Sequence, residues 1–120
     1  MALIAKTDAL AQDLTADISD VATVARGDAF TAELSFLVDN HKNGYVQVGF
    51  SKVLEPHAVL AAPSTWSVTA CIDVSGTDLV DKNGKSVVAA SRAPRYGYSY
   101  SVVKDGAKFY VTKEQVTGTC

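Results

Sequence analysis

Apolar residues in the first third of the chain recur at helical spacing. Leu10, Leu14, Ile18, Val21 and Val24 follow one another at intervals of four, four, three and three, which puts them on one stripe of a single helix. Thr7 or Asp8 can cap its start, and Gly27 can end it. Asp28 opens a second helix whose inner stripe is Phe30, Leu34, Leu37, Val38 and His41, with Asn43-Gly44 as its stop. From Tyr45 the period changes to two. Val46, Val48 and Phe50 form one apolar face, and His57–Ala62 is a short strand bounded by Pro56 and Pro63. Trp66, Val68, Ala70, Ile72 and Val74 alternate with Ser67, Thr69, Cys71 and Asp73, the clearest strand in the chain. Val80–Val88 carries Asn83-Gly84, a strong hairpin signal. Tyr96, Tyr98, Tyr100 and Val102 define one face of a further strand. Asp105-Gly106 turns it into a last strand through Phe109, Tyr110 and Val111.

Helices first and a meander of strands afterwards predict an α+β fold, with N-terminal helices packed on one face of a curved antiparallel β-sheet. The 120 residues suit a single domain over 1–120, with no repeat and no linker. Charged residues make up 20% and hydrophobic ones 48%, an ordinary globular balance without a run long enough to span a membrane. A net charge of −2 argues against a nucleic-acid binder. Charge is uneven, however: residues 1–40 are net acidic and residues 41–120 net basic. Each half can simply solvate its own surface, or the asymmetry can mark a partner face.

The side chains that carry chemistry are sparse. Asp73 shares strand parity with Ser67 and Thr69, so it belongs to the polar face as a solvent-facing or turn-capping group, not as a general base. His41 and His57 have no partner at metal-ligand spacing, and no Gly-x-Ser-x-Gly elbow is present. Gly44 and Gly49 do not make a phosphate loop, because no Lys-Ser follows and no helix opens there. Asp73, Asp78, Asp81 and Asn83 crowd one hairpin, but their spacing is that of turn residues and not of a calcium loop. No catalytic residue, metal or cofactor is therefore expected. Trp66 is expected on the buried face with Val68 and Ile72. Tyr96, Tyr98 and Tyr100 stand out: a tyrosine stripe can bury under helices, floor a pocket, or present a protein interface.

Cys71 and Cys120 can form one disulfide in an oxidising compartment or remain two separate thiols. Met1–Lys6 is too short and too weakly apolar for the core of a signal peptide. Two expectations follow: a cytoplasmic or particle-assembled chain, or an exported one whose signal lies outside this sequence.

Ala25-Arg26-Gly27-Asp28-Ala29, Gly44, Gly49, Trp66 to Ser75, Asp81 to Lys85, Arg95-Tyr96, Tyr100 to Lys104, Phe109-Tyr110-Val111 and Gly118-Thr119-Cys120 together carry a resemblance. Over about residues 25–120 the chain resembles the nuclear-transport-factor-2-like superfamily of cystatin-like α+β cones. Within it, the chain is similar to small exported or lipoprotein-like actinobacterial proteins. The resemblance implies pairing of Cys71 with Cys120 and an extracytoplasmic location. Cones of this kind open with a long helix over the mouth of the sheet, and the segment before Arg26 is short for one, so the expectation is either a trimmed domain or a partner that supplies the missing cover. The resulting expectation is a non-enzymatic accessory or binding module that works through protein contacts or as a homo-oligomer. The alternatives are a structural subunit of a phage virion or other particle, and a small-ligand pocket protein or isomerase-like enzyme on the same fold.

Overall fold

The computed structural model describes all 120 residues, Met1 to Cys120. Helix α1 (Ala2–Ala11), a short 3₁₀ helix (Ile18–Thr23) and helix α2 (Gly27–Asn43) come first. Strands β1 (Val46–Val48), β2 (Lys52–Ala62), β3 (Thr65–Asp73), β4 (Asp78–Val80), β5 (Arg95–Asp105) and β6 (Lys108–Thr119) follow. The fold is α+β. Strands β2-β3-β5-β6 form an antiparallel meander, and β1 pairs with β4 in a separate two-stranded ribbon. No helix is long and apolar enough to cross a membrane.

The single helix expected over residues 7–27 is broken. Asp13 Oδ1 accepts from the Thr15 amide and hydroxyl, at 2.9 and 2.6 Å. Asp17 Oδ1 does the same for Ser19, at 3.1 and 2.6 Å. Two successive Asp-x-Thr/Ser turns give the backbone a local alternative to the helix ladder. The helix starts earlier instead, at Ala2, and Leu14 is left exposed. Asp8 is thus no cap. It is buried inside α1, and its carboxylate accepts from the Ser51 amide at 2.8 Å, the Ser51 hydroxyl at 3.1 Å and Gln47 Nε2 at 2.8 Å. That clamp fixes the β1–β2 connection. There Gly49 is obligatory, because its φ is +78° and a Cβ would collide with the Gly76 carbonyl. Gly27 begins α2 and does not end a preceding helix.

Helix α2 ends as the sequence suggests, at Gly44 in the left-handed conformation. Ala29 and Leu37 are fully buried, and Phe30 and Leu34 pack beside them, but Val38 faces solvent. His41 donates from Nε2 to the Leu10 carbonyl at 2.9 Å, tying the end of α2 to the end of α1. These helices cover one face of the sheet. Leu3, Leu10, Val21, Ala29 and Leu37 meet Ala70 and Ile72 of β3, Tyr100 of β5 and Val111 of β6 in one core. The open edge of β6 is closed at one point, where the Val111 amide donates to Val24 and the Arg26 amide donates to Val111. Arg26 also lies over the Tyr110 ring at 3.6 Å and pairs with Asp105 at 3.0 Å.

Three strand expectations change. Val48 and Phe50 are exposed, so the face expected of Val46, Val48 and Phe50 is not a core face. The Val80–Val88 hairpin shrinks to one bridge, Val80 to Ser86. The Asn83-Gly84 turn itself forms, held by Asp81 Oδ1, which accepts the Asn83 and Lys85 amides. The strand expected over His57–Ala62 begins five residues earlier, at Lys52, and is kinked at Glu55-Pro56. Trp66 is only half-buried, packed edge-on against Phe109 at 5.5 Å near an end of the sheet that the helices do not reach.

Cys71 and Cys120, 49 positions apart in sequence, form a disulfide with Cα atoms 5.9 Å apart. Cys71 stands opposite Gly97 on β5, and Gly97 stands opposite Gly118 on β6. The bond therefore ties β3 to the residue that follows β6, across Gly97 of the intervening β5. Closing a loop of that length in the unfolded chain stabilises the fold by about 4 kcal/mol in the chain-entropy picture.

Candidate functional site

The helical cover is incomplete over β5. Between α1, α2 and the inner face of the sheet lies a cleft of about 340 Å³. Its floor is the tyrosine stripe. Strand alternation places Tyr96, Tyr98 and Tyr100 on one face, with Tyr98 and Tyr100 stacked at 5.6 Å and nearly parallel. Their fates differ. Tyr100 is 2% exposed and belongs to the core, whereas Tyr96 and Tyr98 are half-buried and line the cleft. Tyr96 is held in place by the Ala93 amide, which donates to its hydroxyl at 3.2 Å.

The walls bring in residues that strand and helix periodicity did not single out. Glu33 and Phe36 come from α2, and Glu114 comes from β6. Simple alternation from Val111 would turn Glu114 outward and Lys113 inward. A bulge between the Ser101–Lys113 and Val102–Val111 pairs inserts Thr112 and reverses this, setting Glu114 opposite Tyr100. Glu33 and Glu114 both line the cleft, one from each side, so two carboxyl groups face the same small space. Burial first, and then the neighbouring Glu33, push the Glu114 carboxyl up to about 8. Burial also raises the phenols of Tyr98 and Tyr100, and the neighbouring carboxylates add to it. Neither glutamate has a cationic partner. The ion pairs of the molecule are Arg26–Asp105 and Arg95–Asp73.

Arg92 closes the far end. Its Nη2 donates to the Val74 and Thr77 carbonyls, at 3.1 and 2.9 Å, so it braces the loop after β3. Three buried side-chain polar atoms have no hydrogen-bond partner: Thr7 Oγ1, Asn40 Nδ2 and Tyr100 Oη. Two of these, Thr7 and Tyr100, belong to residues of the cleft wall.

The remaining candidates lie elsewhere. Asp73 Oδ1 accepts from the Ser75 amide at 2.9 Å and hydroxyl at 2.6 Å, and Arg95 stands 3.7 Å away. Those hydrogen bonds hold its carboxyl below the usual range, which is turn capping. Asp78 accepts from Ser86, and Asp81 holds its own turn. His57 is exposed on β2. Cys71 and Cys120 are bonded to each other on the sheet face away from the cleft.

No protein-family model matches the chain, and no curated protein sequence matches it. Among solved structures, the fold is similar to the intermembrane-space region of the chloroplast protein ARC6. The TM-score is 0.65 at 15% sequence identity, over 98% of this chain and 93% of that one.

Proposed function

We propose that this chain is a non-enzymatic accessory module that binds a protein partner, or a second copy of itself, through the tyrosine-floored cleft. The observation that carries the reading is the gap in the helical cover: Tyr96, Tyr98 and Phe36 line an open concavity instead of sealing a core. Aromatic side chains in a concave, part-desolvated setting are what protein interfaces use as anchors. The hydroxyls and carboxylates along the wall supply direction. The Cys71–Cys120 bond favours an extracytoplasmic setting, since such bonds persist where glutathione does not reduce them. The ARC6 region, from an intermembrane space by its description, is a fold precedent compatible with that setting. Kinship with the nuclear-transport-factor-2-like cones is part of the same proposal, resting on the sequence resemblance and the helix-on-sheet architecture.

Sedimentation across a concentration series tests the docking face. Tyr98→Asp and Phe36→Asp are expected to shift self-association or partner binding at least about tenfold, because a charge in a dry contact is left uncompensated. Phe36 is 43% exposed, so its substitution leaves the fold intact and separates docking from folding. Full binding by both variants overturns the reading. A small-ligand pocket or isomerase-like enzyme is the second reading, favoured by one observation: Glu114 stands beside Tyr100 in the cleft, where burial pushes its carboxyl up to about 8 and so makes its ionised form a stronger base than an ordinary carboxylate. Exchange of a carbonyl compound's α-proton, lost in Glu114→Gln, would favour it over the first.

A further inference from the structure

The cleft has an unmatched set of hydrogen-bond acceptors, and that set defines a ligand. Glu33 of α2 and Glu114 of β6 both line the cleft, and neither makes an ion pair. The Tyr100 hydroxyl, on a side chain only 2% exposed, belongs to the same wall and has no partner. Thr7 Oγ1, on α1, is likewise unpartnered there. A buried hydroxyl without a partner is costly and is uncommon unless something supplies the missing bond. All four groups accept hydrogen bonds, and two carry or share negative charge. The stacked rings of Tyr98 and Tyr100 add aromatic surface beside them. A planar cation with several N–H donors satisfies such a set, through charge-assisted bonds to the carboxylates and contact with the ring faces.

We infer that the cleft receives a guanidinium or alkylammonium group between Glu33, Glu114 and Tyr100. This rests on the reading of the cleft as a recognition site and specifies what it recognises: a basic side chain of the partner. Burial and the neighbouring Glu33 push the Glu114 carboxyl up to about 8, so a cation that pairs with its carboxylate displaces a proton, and binding strengthens as pH rises towards 8. The charged and titratable groups around the pair are Asp28 on α2, Tyr96, Tyr98 and Tyr100 on β5, Lys113 on β6, and Arg92 at the far end of the cleft. Lys113 makes no ion pair with Glu114, and Arg92 is committed to backbone carbonyls, so neither occupies the position.

The test uses the whole protein with three probes: N-acetyl-arginine amide, its neutral isostere N-acetyl-citrulline amide, and agmatine. Calorimetry gives affinity and proton release, and NMR of the tyrosine rings gives location. The arginine probe is expected to bind about tenfold more tightly than the citrulline probe at pH 8, and to lose about tenfold between pH 8 and pH 5.5. It should move the Tyr98 and Tyr100 resonances, and Glu33→Gln/Glu114→Gln should abolish its advantage. Tighter binding of the arginine probe than of agmatine supports a partner side chain as the source; the reverse assigns a free amine and overturns the inference. Equal responses to arginine and citrulline, or ring resonances that stay still at millimolar probe, overturn the inference. The protein-docking reading fails separately: it falls if Phe36→Asp leaves association unchanged, whatever the arginine probe does.

Discussion

The same four-stranded sheet has a covered end and a bare end. Under the helices, Ile72 and Tyr100 are 3% and 2% exposed. Farther along the same inner face, beyond the helices, Leu60 and Phe109 are 61% and 53% exposed, flanking the half-buried Trp66. Strand alternation is equally clean in both places. What differs is reach. Helix α2 runs against β6, and α1 stops at Ala11 where the Asp13 and Asp17 turns begin. A period-two pattern tells which side of a sheet is apolar, but not how far along the strands the opposing layer extends. The cleft lies on the other side of Tyr100 from the bare end, at Tyr96 and Tyr98, where the cover is incomplete and a concave surface with aromatic walls can stay open.

The sharpest way to break this comparison is to empty one site at each end. Leu37→Ala is expected to cost about 3–4 kcal/mol in urea unfolding, since Leu37 is fully buried in the core. Leu60→Ala is expected to cost less than about 0.5 kcal/mol. Comparable losses would mean the bare end is packed in solution, by a second copy or by rearrangement.

Removing the covalent tie comes next. Cys71→Ala/Cys120→Ala is expected to lower stability by about 2–4 kcal/mol, with the C-terminal half of β6 showing the largest rise in amide exchange. A uniform rise over all strands would contradict the view that the bond holds β6 locally across β5.

The cleft itself should be visible in the pH dependence. The folded Glu114 carboxyl is raised to about 8 from an ordinary unfolded value, so between roughly pH 5 and pH 8 the folded state binds the extra proton. Stability must then fall as pH rises through that window. The expected loss is about 1–2 kcal/mol, reduced from full linkage because the pair is part-exposed. Glu114→Gln should flatten the slope. Asp13, Asp17 and Asp73 act in the opposite sense: their carboxyls are held down by hydrogen bonds, so their contribution is lost as pH falls below the usual carboxylate range. A flat profile between pH 5 and pH 8 would contradict the raised Glu114 carboxyl.

Much of this was legible in the residues. The switch from helical to alternating period gave the α+β order, and the tyrosine stripe was visible as a shared face. Asp105-Gly106 turns β5 into β6 with its pairing intact up to Asp105–Lys108. The broken first helix was legible too, though only locally: Asp13-Leu14-Thr15, Asp17-Ile18-Ser19 and Asp73-Val74-Ser75 all make the same capped turn, and the apolar spacing of Leu10 to Val24 runs straight over two of them. Glu114 could not be found by alternation, because the Thr112 bulge that redirects it depends on pairing with β5. Glu33 lies on the margin of an amphipathic helix, and its role depends on what stands opposite. Trp66 has the right parity for burial and simply lies past the end of its cover.

Selection of peptides from a random library against the whole protein tests the central claim that the cleft, and not the bare end, is the recognition surface. Binding by the selected peptides should be lost in Phe36→Asp, kept in Leu60→Asp, and should shift the resonances of Tyr96 and Tyr98. Peptides that bind Phe36→Asp normally, fail on Leu60→Asp and shift Trp66 instead would place recognition at the uncovered end of the sheet and contradict the account.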